Sequence, residues 1–308
     1  MLDESVKKRR HHFVWRHYIE AWTSDGRIFC CRDGQVFGAN PKNVAVEGDF
    51  YRLQDLTDAD VSAIRGIIAL VQKDLRPLSE GWLAIFAAPF ELRRKYRARG
   101  LKDQSVEQRL DVLFSNLEEE IHALLEEESV PLLASLRKGQ AGAFETSDGF
   151  SRLMYFLSVQ FMRTKRTKEA VRASLAGQMI NVDNTWGVLR HMLATNMAAA
   201  FAARRDRYRL VFLRAPADCQ LVTSDQPVIN TLALDLPPGQ APESVEFYYP
   251  IAPRLALLVS QRDGPDRSAG PQMTGHQVAT YNRMMADASH EQVFAADPAL
   301  FENLGVSP

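Results

Sequence analysis

A long central region with helical periodicity, flanked at both ends by short strand-like segments, is the feature that most constrains the fold of this chain. Between residues 57 and 207, apolar residues recur every three or four positions, the spacing of amphipathic helices. On either side, short apolar runs are separated by Gly, Pro, Asp and Asn, which favours antiparallel strands over βαβ units. This order predicts an α+β fold, in which a helical central region packs with a small antiparallel sheet formed by the N-terminal hairpin and the C-terminal strands.

Local signals place several elements within this plan. Asp33-Gly34 joins the apolar runs 27–32 and 35–38, and predicts a β-hairpin because glycine readily accepts the positive φ of a tight turn. Thr57 and Asp60 are spaced as a capping box, and they predict the start of the first long helix.

Further helices are expected in the central region and near the C-terminus. Residues 79–99 predict a helix broken by Pro89, and the acidic helix from residue 110 is expected to continue through Pro131 with a kink or break there. The stretch 176–204 predicts a helix whose methionine-rich face, including Met179, packs in the core. The other predicted segments are a helix after Ser147-Asp148, a helix over 277–288, and strands over 209–213, 221–223, 245–249, 255–259 and 292–295.

Charge and composition limit the function classes. The 308 residues are 46% hydrophobic, which predicts a well-filled core rather than a disordered chain. With 37 basic and 38 acidic residues, the net charge of -1 argues against bulk attraction to nucleic acid. Local basic patches remain compatible with this balance, and the candidates are residues 7–10, 93–99, 163–166 and 204–207.

Several classes of site and location are not indicated. The three cysteines have neither a disulfide framework nor zinc-finger spacing, so free thiols are expected. The charged N-terminus leads into no apolar signal segment, and no apolar run reaches the roughly 18–20 residues of a membrane span, so a cytoplasmic protein without membrane association is expected. Serine-hydrolase, P-loop and dinucleotide-binding motifs do not appear.

Residues 9–22 are unusually dense in groups that can bind or titrate. They contain three histidines, three arginines and four aromatic residues. Trp15, Tyr18 and Trp22 are three or four positions apart and predict a buried helical face that anchors the N-terminus. His12 and His17 are five apart and share a helix face poorly, so a two-histidine metal motif is not indicated.

The run His12-Phe13-Val14, followed by Tyr18, resembles the opening of the DUF4238 family, a prokaryotic group of unknown function, although Trp15 stands where most members have proline. Further short motifs resemble the family in the same order: Gly48-Asp49-Phe50-Tyr51, Glu127 with Pro131, Gln160 with Arg163, the turn 223–228, the run 249–253, and Asn282. The resemblance implies a single domain over residues 1–308, with a hairpin region (1–56), a helical region (57–207) and a strand-rich region (208–308).

The matched positions form a chemically coherent set, and two groups of candidate residues follow. The catalytic candidates are His12, Glu127 and Asp225, and the candidates for substrate binding are Tyr51, Arg163, Ser224 and Asn282. His12 or Glu127 would act as general base, Arg163 would neutralise developing charge, and Asp225 would orient a partner. A divalent metal is a further hypothesis, held by His12 with Glu127 or Asp225. Alternatively, all of these residues cap helices, complete turns and pair with one another.

This set suggests a hydrolase, for example a nuclease, that acts on a phosphorylated substrate such as nucleic acid or a nucleotide. A role as a defence or toxin-type effector is expected only by analogy. The alternative is a non-catalytic module that binds a ligand or a protein partner, and the oligomeric state is left open.

Overall fold

The computed structural model of the chain describes residues 6–237, 240, 242–261 and 272–304. The helices are α1 (Arg16–Ile19), α2 (Asp58–Leu70), α3 (Arg76–Ala98), α4 (Gln104–Arg137), α5 (Ser147–Met162), α6 (Lys165–Ser174), α7 (Val182–Ala203) and α8 (Gly275–Asp287). The strands are β1 (Arg10–His12), β2 (Ile28–Arg32), β3 (Gln35–Ala39), β4 (Val46–Gly48), β5 (Tyr208–Arg214), β6 (Thr223–Ser224), β7 (Ile229–Asn230), β8 (Phe247–Ala252), β9 (Leu255–Gln261) and β10 (Val293–Ala295). The predicted α+β class is confirmed.

The strands form three antiparallel sheets. One four-stranded sheet has the order β3-β2-β10-β6, so the N-terminal hairpin pairs with C-terminal strands as predicted. The second has the order β5-β9-β8-β7 and contains C-terminal strands only, and β1 pairs with β4 in a two-stranded ribbon. Within the described ranges, no helix combines the length and the apolar character needed to cross a membrane.

The predicted turn and cap are confirmed. Asp33 and Gly34 have φ of 53° and 76°, the left-handed pair that a two-residue hairpin turn requires. At the start of α2, Thr57 and Asp60 form a capping box in which each side chain accepts the other residue's backbone N–H.

The predicted break at Pro89 is wrong, because α3 continues through it, whereas α4 continues through Pro131 as predicted. A proline inside a helix costs about 3 kcal/mol, so packing on both sides must offset it. Phe86 and Phe90 flank Pro89 and are buried in the same apolar cluster, which holds the two halves of α3 in line.

The predicted helix over 176–204 is also corrected. Helix α7 begins only at Val182, where the Asn181 side chain accepts the backbone N–H of Asp183 and of Asn184. Gly177 before it has a φ of 84°, which ends the preceding helical turn. Met179 therefore lies outside the helix and is 98% exposed, not in the core.

The aromatic residues of the N-terminal segment fasten it to the C-terminal strands. Trp15, Tyr18 and Trp22 are all buried, as predicted. The Tyr18 hydroxyl bonds Thr223 Oγ1 at 2.6 Å and donates to the Pro250 carbonyl at 2.8 Å. This anchoring fixes the position of the preceding strand β1, and with it His12.

Candidate functional site

A polar cleft of about 200 Å³ opens between the N-terminal segment, helix α4 and the end of α5. The residues that line it are His12, Trp15, Arg16, His17, Glu119, His122, Ala123, Glu126 and Arg163. Two of the sequence-predicted residues, His12 and Arg163, are therefore in one place.

Helix α4 supplies one wall of the cleft. Glu119, His122 and Glu126 are three, four and seven residues apart, so they share one face of the helix. Glu127 is one residue further on, about 100° around the axis, and its side chain is exposed. The structure thus places Glu126, not the predicted Glu127, in the cleft.

Arg163 connects the predicted residues to this wall. It caps the C-terminus of α5, and its side chain is only 2% exposed. Its Nε donates to Tyr51 Oη at 2.9 Å, its Nη2 donates to the His12 carbonyl at 2.6 Å, and its Nη1 pairs with Glu126. Because a guanidinium has five N–H groups, some donor capacity remains for an anion in the cleft.

A tight turn after β4 brings Tyr51 to Arg163. Asp49 has a φ of 56°, a conformation that Asp tolerates better than most residues. The Tyr51 backbone N–H then donates to His11 Nδ1 at 2.8 Å. The protonated Nε2 of His11 donates to the Lys8 carbonyl at 3.1 Å, so this ring is held in its neutral form. Burial lowers the pKa of His11, which is consistent with that form.

Below the cleft, Glu118 is the centre of a fully buried polar cluster. Its Oε1 accepts a hydrogen bond from His191 Nε2 at 3.1 Å, forms an ion pair with Arg190, and lies 3.6 Å from His122 Nε2. His191 and Arg190 come from α7, which packs closely against α3 and α4 at Gly187. A Cβ there would lie 2.9 Å from the Phe86 ring and 3.4 Å from Glu118 Oε2.

Burial and neighbouring charges set the protonation of this cluster. Burial lowers the pKa of His191, and burial together with the Arg163 charge lowers the pKa of His122 well below its usual value. Burial alone would raise the pKa of Glu118, but Arg190 and the two histidines outweigh it and lower that pKa. The imidazoles are therefore neutral and Glu118 is ionised.

Glu119, at the cleft wall, is in a different environment. Burial raises its pKa to about 7, while Arg163 opposes the shift and Glu126 adds to it. Among the described residues, its Oε2 and both ring nitrogens of His122 have no hydrogen-bond partner. Buried polar atoms are normally paired, so this group of free atoms marks a place where a ligand can bind.

Positive charge surrounds His12. Burial lowers the pKa of its side chain, and the guanidinium groups of Arg163, Arg16 and Arg10 lower it further, while a contact of Nε2 with the Lys42 carbonyl at 3.3 Å opposes this. Two of these guanidinium groups, those of Arg163 and Arg16, line the cleft beside the carboxylates of Glu119 and Glu126, so they can attract the anionic part of a ligand.

The remaining predicted site residues lie elsewhere and have structural partners. The Asp225 carboxylate accepts the backbone N–H groups of His290, Glu291 and Gln292 at 2.8, 2.8 and 3.0 Å. Burial raises the pKa of Asp225, although these three bonds oppose the shift. The Asp225 side chain thus closes the loop before β10, and it does not line the cleft.

Ser224 and Asn282 are used in the same way. The Ser224 hydroxyl accepts from the Gln226 N–H and contacts Met285 Sδ, both at 3.1 Å. Asn282 Oδ1 accepts from the Val222 N–H at 2.9 Å, and its Nδ2 donates to the Gln220 carbonyl at 2.8 Å. The structure does not bring either residue to His12, because local turn and strand contacts use their polar atoms.

Six residues of the cleft and of the buried cluster were missed from the sequence: Glu118, Glu119, His122, Glu126, Arg190 and His191. Glu118 and His122 have i,i+4 spacing on a helix that was predicted, and this pattern could have indicated the pair. His191 lies 73 residues from Glu118 in sequence, and no local signal connects them.

The residues that could hold a metal also differ from those predicted. The predicted partners Glu127 and Asp225 do not meet at His12. Within the described part of the chain, potential ligand atoms of Glu118, His122 and His191 all lie within 4.8 Å of one another.

The fold and the cleft define an α+β protein with a partly buried cluster of histidine, glutamate and arginine side chains between its N-terminal segment and its helices. The chain belongs to the DUF4238 family, described as proteins of unknown function, whose family model matches residues 10–299. Comparison with curated proteins and with solved structures gave no match.

Proposed function

We propose that this chain is a hydrolase that cleaves a small phosphorylated compound in the cleft. The observation that carries the proposal is the unpartnered Oε2 of Glu119, in the same cleft as the Arg163 guanidinium. A carboxylate with a free oxygen can accept a proton from water, and a neighbouring guanidinium can bind the phosphoryl group and stabilise its developing charge.

The charge at the cleft supports an anionic substrate. Arg163 keeps unused N–H donors, and Arg16 lines the same cleft with an exposed side chain. His12 adds a neutral imidazole at the edge, where it can hydrogen-bond a phosphate oxygen. Tyr51 then acts through Arg163, because its hydroxyl accepts from Arg163 Nε and holds the guanidinium in place.

The size of the cleft favours the terminal phosphate group of a substrate over a duplex, with the rest of the substrate outside the cleft. A volume of about 200 Å³ is small even for a drug-sized ligand. The predicted basic runs are also partly neutralised, since Lys7 pairs with Asp111 at 3.1 Å and Arg93 pairs with Asp55 at 3.0 Å. A defence or toxin-type role stays a prediction from analogy.

In the proposed reaction, Glu119 accepts a proton as the water oxygen bonds to phosphorus. The phosphorus–oxygen bond to the leaving group then breaks, and the departing oxygen takes up a proton from Glu119 or from solvent. Arg163 stays paired with the phosphoryl oxygens throughout, and Glu126 keeps Arg163 oriented.

The test is phosphate release or strand cleavage with nucleotides, RNA and DNA, each with and without Mg²⁺ or Mn²⁺. We expect Glu119→Gln to lower the rate by about 10²–10⁴-fold, the usual contribution of a general base. Glu127→Gln is the matched control, because it makes the same change on the same helix at an exposed position. Equal rates in the two variants would contradict the assignment of Glu119.

A second candidate function, non-catalytic ligand binding, is favoured by another feature. A mostly apolar cavity of about 540 Å³ lies between α6 and residues 231–237, with Phe161, Met162, Val171 and Leu234 in its walls. Its volume is in the range of small-molecule sites. This function predicts that a ligand raises the melting temperature without turnover, and that Leu234→Trp, but not Glu119→Gln, abolishes the shift.

A further inference from the structure

We propose that Glu118, His122 and His191 bind one divalent transition-metal ion of the zinc class at the base of the cleft. One carboxylate and two imidazoles form a ligand set that zinc uses in catalytic sites, where a further position stays open for water. The binding site stands on its own geometry, and only the role of the ion depends on the proposed function.

The distances fit ligands arranged around one ion. Glu118 Oε1 is 3.1 Å from His191 Nε2 and 3.6 Å from His122 Nε2. Ligands about 2.0–2.1 Å from a tetrahedral zinc ion are about 3.3–3.4 Å apart, between these two values. The third pair, His122 and His191, lies within 4.8 Å, so the two imidazoles would have to approach each other for all three residues to coordinate the same ion.

His122 supplies a second and independent observation. Its side chain is only 2% exposed, and among the described residues neither of its ring nitrogens has a hydrogen-bond partner. His122 Nε2 faces Glu118 Oε1 at 3.6 Å, too far for a good hydrogen bond, and coordination of a metal would satisfy this buried ring. Because His122 also lines the cleft, an ion at this place would be next to the proposed substrate.

The charges around the cluster leave room for a cation. Three carboxylates, Glu118, Glu119 and Glu126, surround the base of the cleft, and two guanidinium groups, Arg163 and Arg190, pair with two of them. Glu119 is the carboxylate left without such a pair in this group. Arg190 pairs with Glu118 Oε1, and the second carboxylate oxygen, Oε2, can take over this pairing when Oε1 binds a metal.

A metal ion at this place would add chemistry that the side chains of the cleft do not supply. A bound divalent ion lowers the pKa of its water ligand and so provides a nucleophile at neutral pH. On the proposed function, the open coordination position would face the cleft on the side of His122.

Metal binding can be measured without any activity assay. The full chain is stripped with a chelator, dialysed against Zn²⁺ or Co²⁺, and analysed for metal content and by X-ray absorption. We expect about one ion per chain, oxygen and nitrogen ligands only, and Zn–N distances of about 2.0–2.1 Å with the signature of two imidazoles. Thiolate ligands, or no ion retained by the folded wild-type chain, would overturn the inference.

Variants identify the ligands. His122→Ala and His191→Ala should each lower the affinity by at least about 100-fold, while His290→Ala, at a partly exposed histidine outside the cluster, should not. Circular dichroism shows whether each variant folds. If a variant does not fold, the X-ray absorption spectrum of the wild type shows whether two imidazoles bind the metal. Metal binding without hydrolysis would contradict only the proposed function. Unchanged metal affinity in a folded His122→Ala variant would contradict only the site.

Discussion

The Asp225 turn and the cleft both contain buried polar residues, and both include positions that resemble family motifs, yet their polar atoms are used differently. In the turn, the Asp225 carboxylate accepts three backbone N–H groups. In the cleft, among the described residues, Glu119 Oε2 and the ring nitrogens of His122 have no partner. The difference separates a region whose polar groups stabilise the fold from one whose polar groups are available to a ligand.

The largest effect on stability is expected at the turn. Asp225→Ala would leave three buried N–H groups without an acceptor, so the free energy of unfolding should fall by about 3–5 kcal/mol. Urea denaturation at constant pH measures this loss. The fraction that remains folded should keep the activity and metal affinity of the wild type.

Glu119→Gln is the matching change in the cleft, and it should leave stability within about 0.5 kcal/mol of the wild type. The comparison between the two regions breaks down if Asp225→Ala costs less than Glu119→Gln. It also breaks down if the folded Asp225→Ala protein has lost its activity.

How far the sequence could predict this difference depends on how local each signal is. The hairpin turn at Asp33-Gly34 and the cap at Thr57 are local, and both were predicted correctly. The continuity of α3 through Pro89 was not, because it depends on packing of Phe86 and Phe90 with distant residues.

The predictions of site residues succeeded or failed for the same reason. His12, Tyr51 and Arg163 were proposed as partners and do meet. Glu127 was proposed because, with Pro131, it resembles a family motif, but the resemblance does not say which face of the helix borders a cleft, and Glu126 lies there instead. The use of Asp225 by the loop before β10 depends on a contact 65–67 residues away, so it could not be read from the turn sequence.

The second prediction concerns pH and the region that positions Tyr51. Burial, assisted by Arg190 and opposed by Lys8, Asp49 and Glu118, lowers the pKa of His11, so the unfolded chain binds a proton more readily than the folded one. Stability from this group is fully present above the unfolded pKa of about 6.5 and is lost as the pH falls below it. His11→Asn keeps an acceptor for the Tyr51 N–H but does not titrate.

The measurement is the free energy of unfolding of both proteins between pH 7.5 and pH 5, values chosen to be about one unit or more on either side of that pKa. The free energy of unfolding of the wild type should change with pH more steeply than that of the variant, by the equivalent of up to about one proton. His122 and His191 are present in both proteins, so their contribution cancels in the difference. Parallel curves would mean that His11 is not held neutral by Tyr51.

The sharpest test of the comparison is Tyr51→Phe, for which only a small change in stability is expected. It removes the hydroxyl that accepts from Arg163 Nε and donates to the His12 carbonyl at 3.2 Å, while the ring packing is kept. Because Arg163 keeps its bonds to Glu126 and to the His12 carbonyl, the loss of stability should be about 1 kcal/mol.

Its effect on the cleft should be larger than that cost suggests. A guanidinium freed at Nε can rotate away from a bound phosphate, so kcat should fall by about 10-fold or more while the fold stays intact. Asn282→Ala is the contrasting variant, because it removes bonds to Gln220 and Val222 and should reduce stability more than kcat. Measuring unfolding and turnover for both variants shows whether each residue mainly stabilises the fold or mainly serves the cleft. If Tyr51→Phe lowers stability and kcat in the same proportion as Asn282→Ala does, the cleft is one more structural polar cluster.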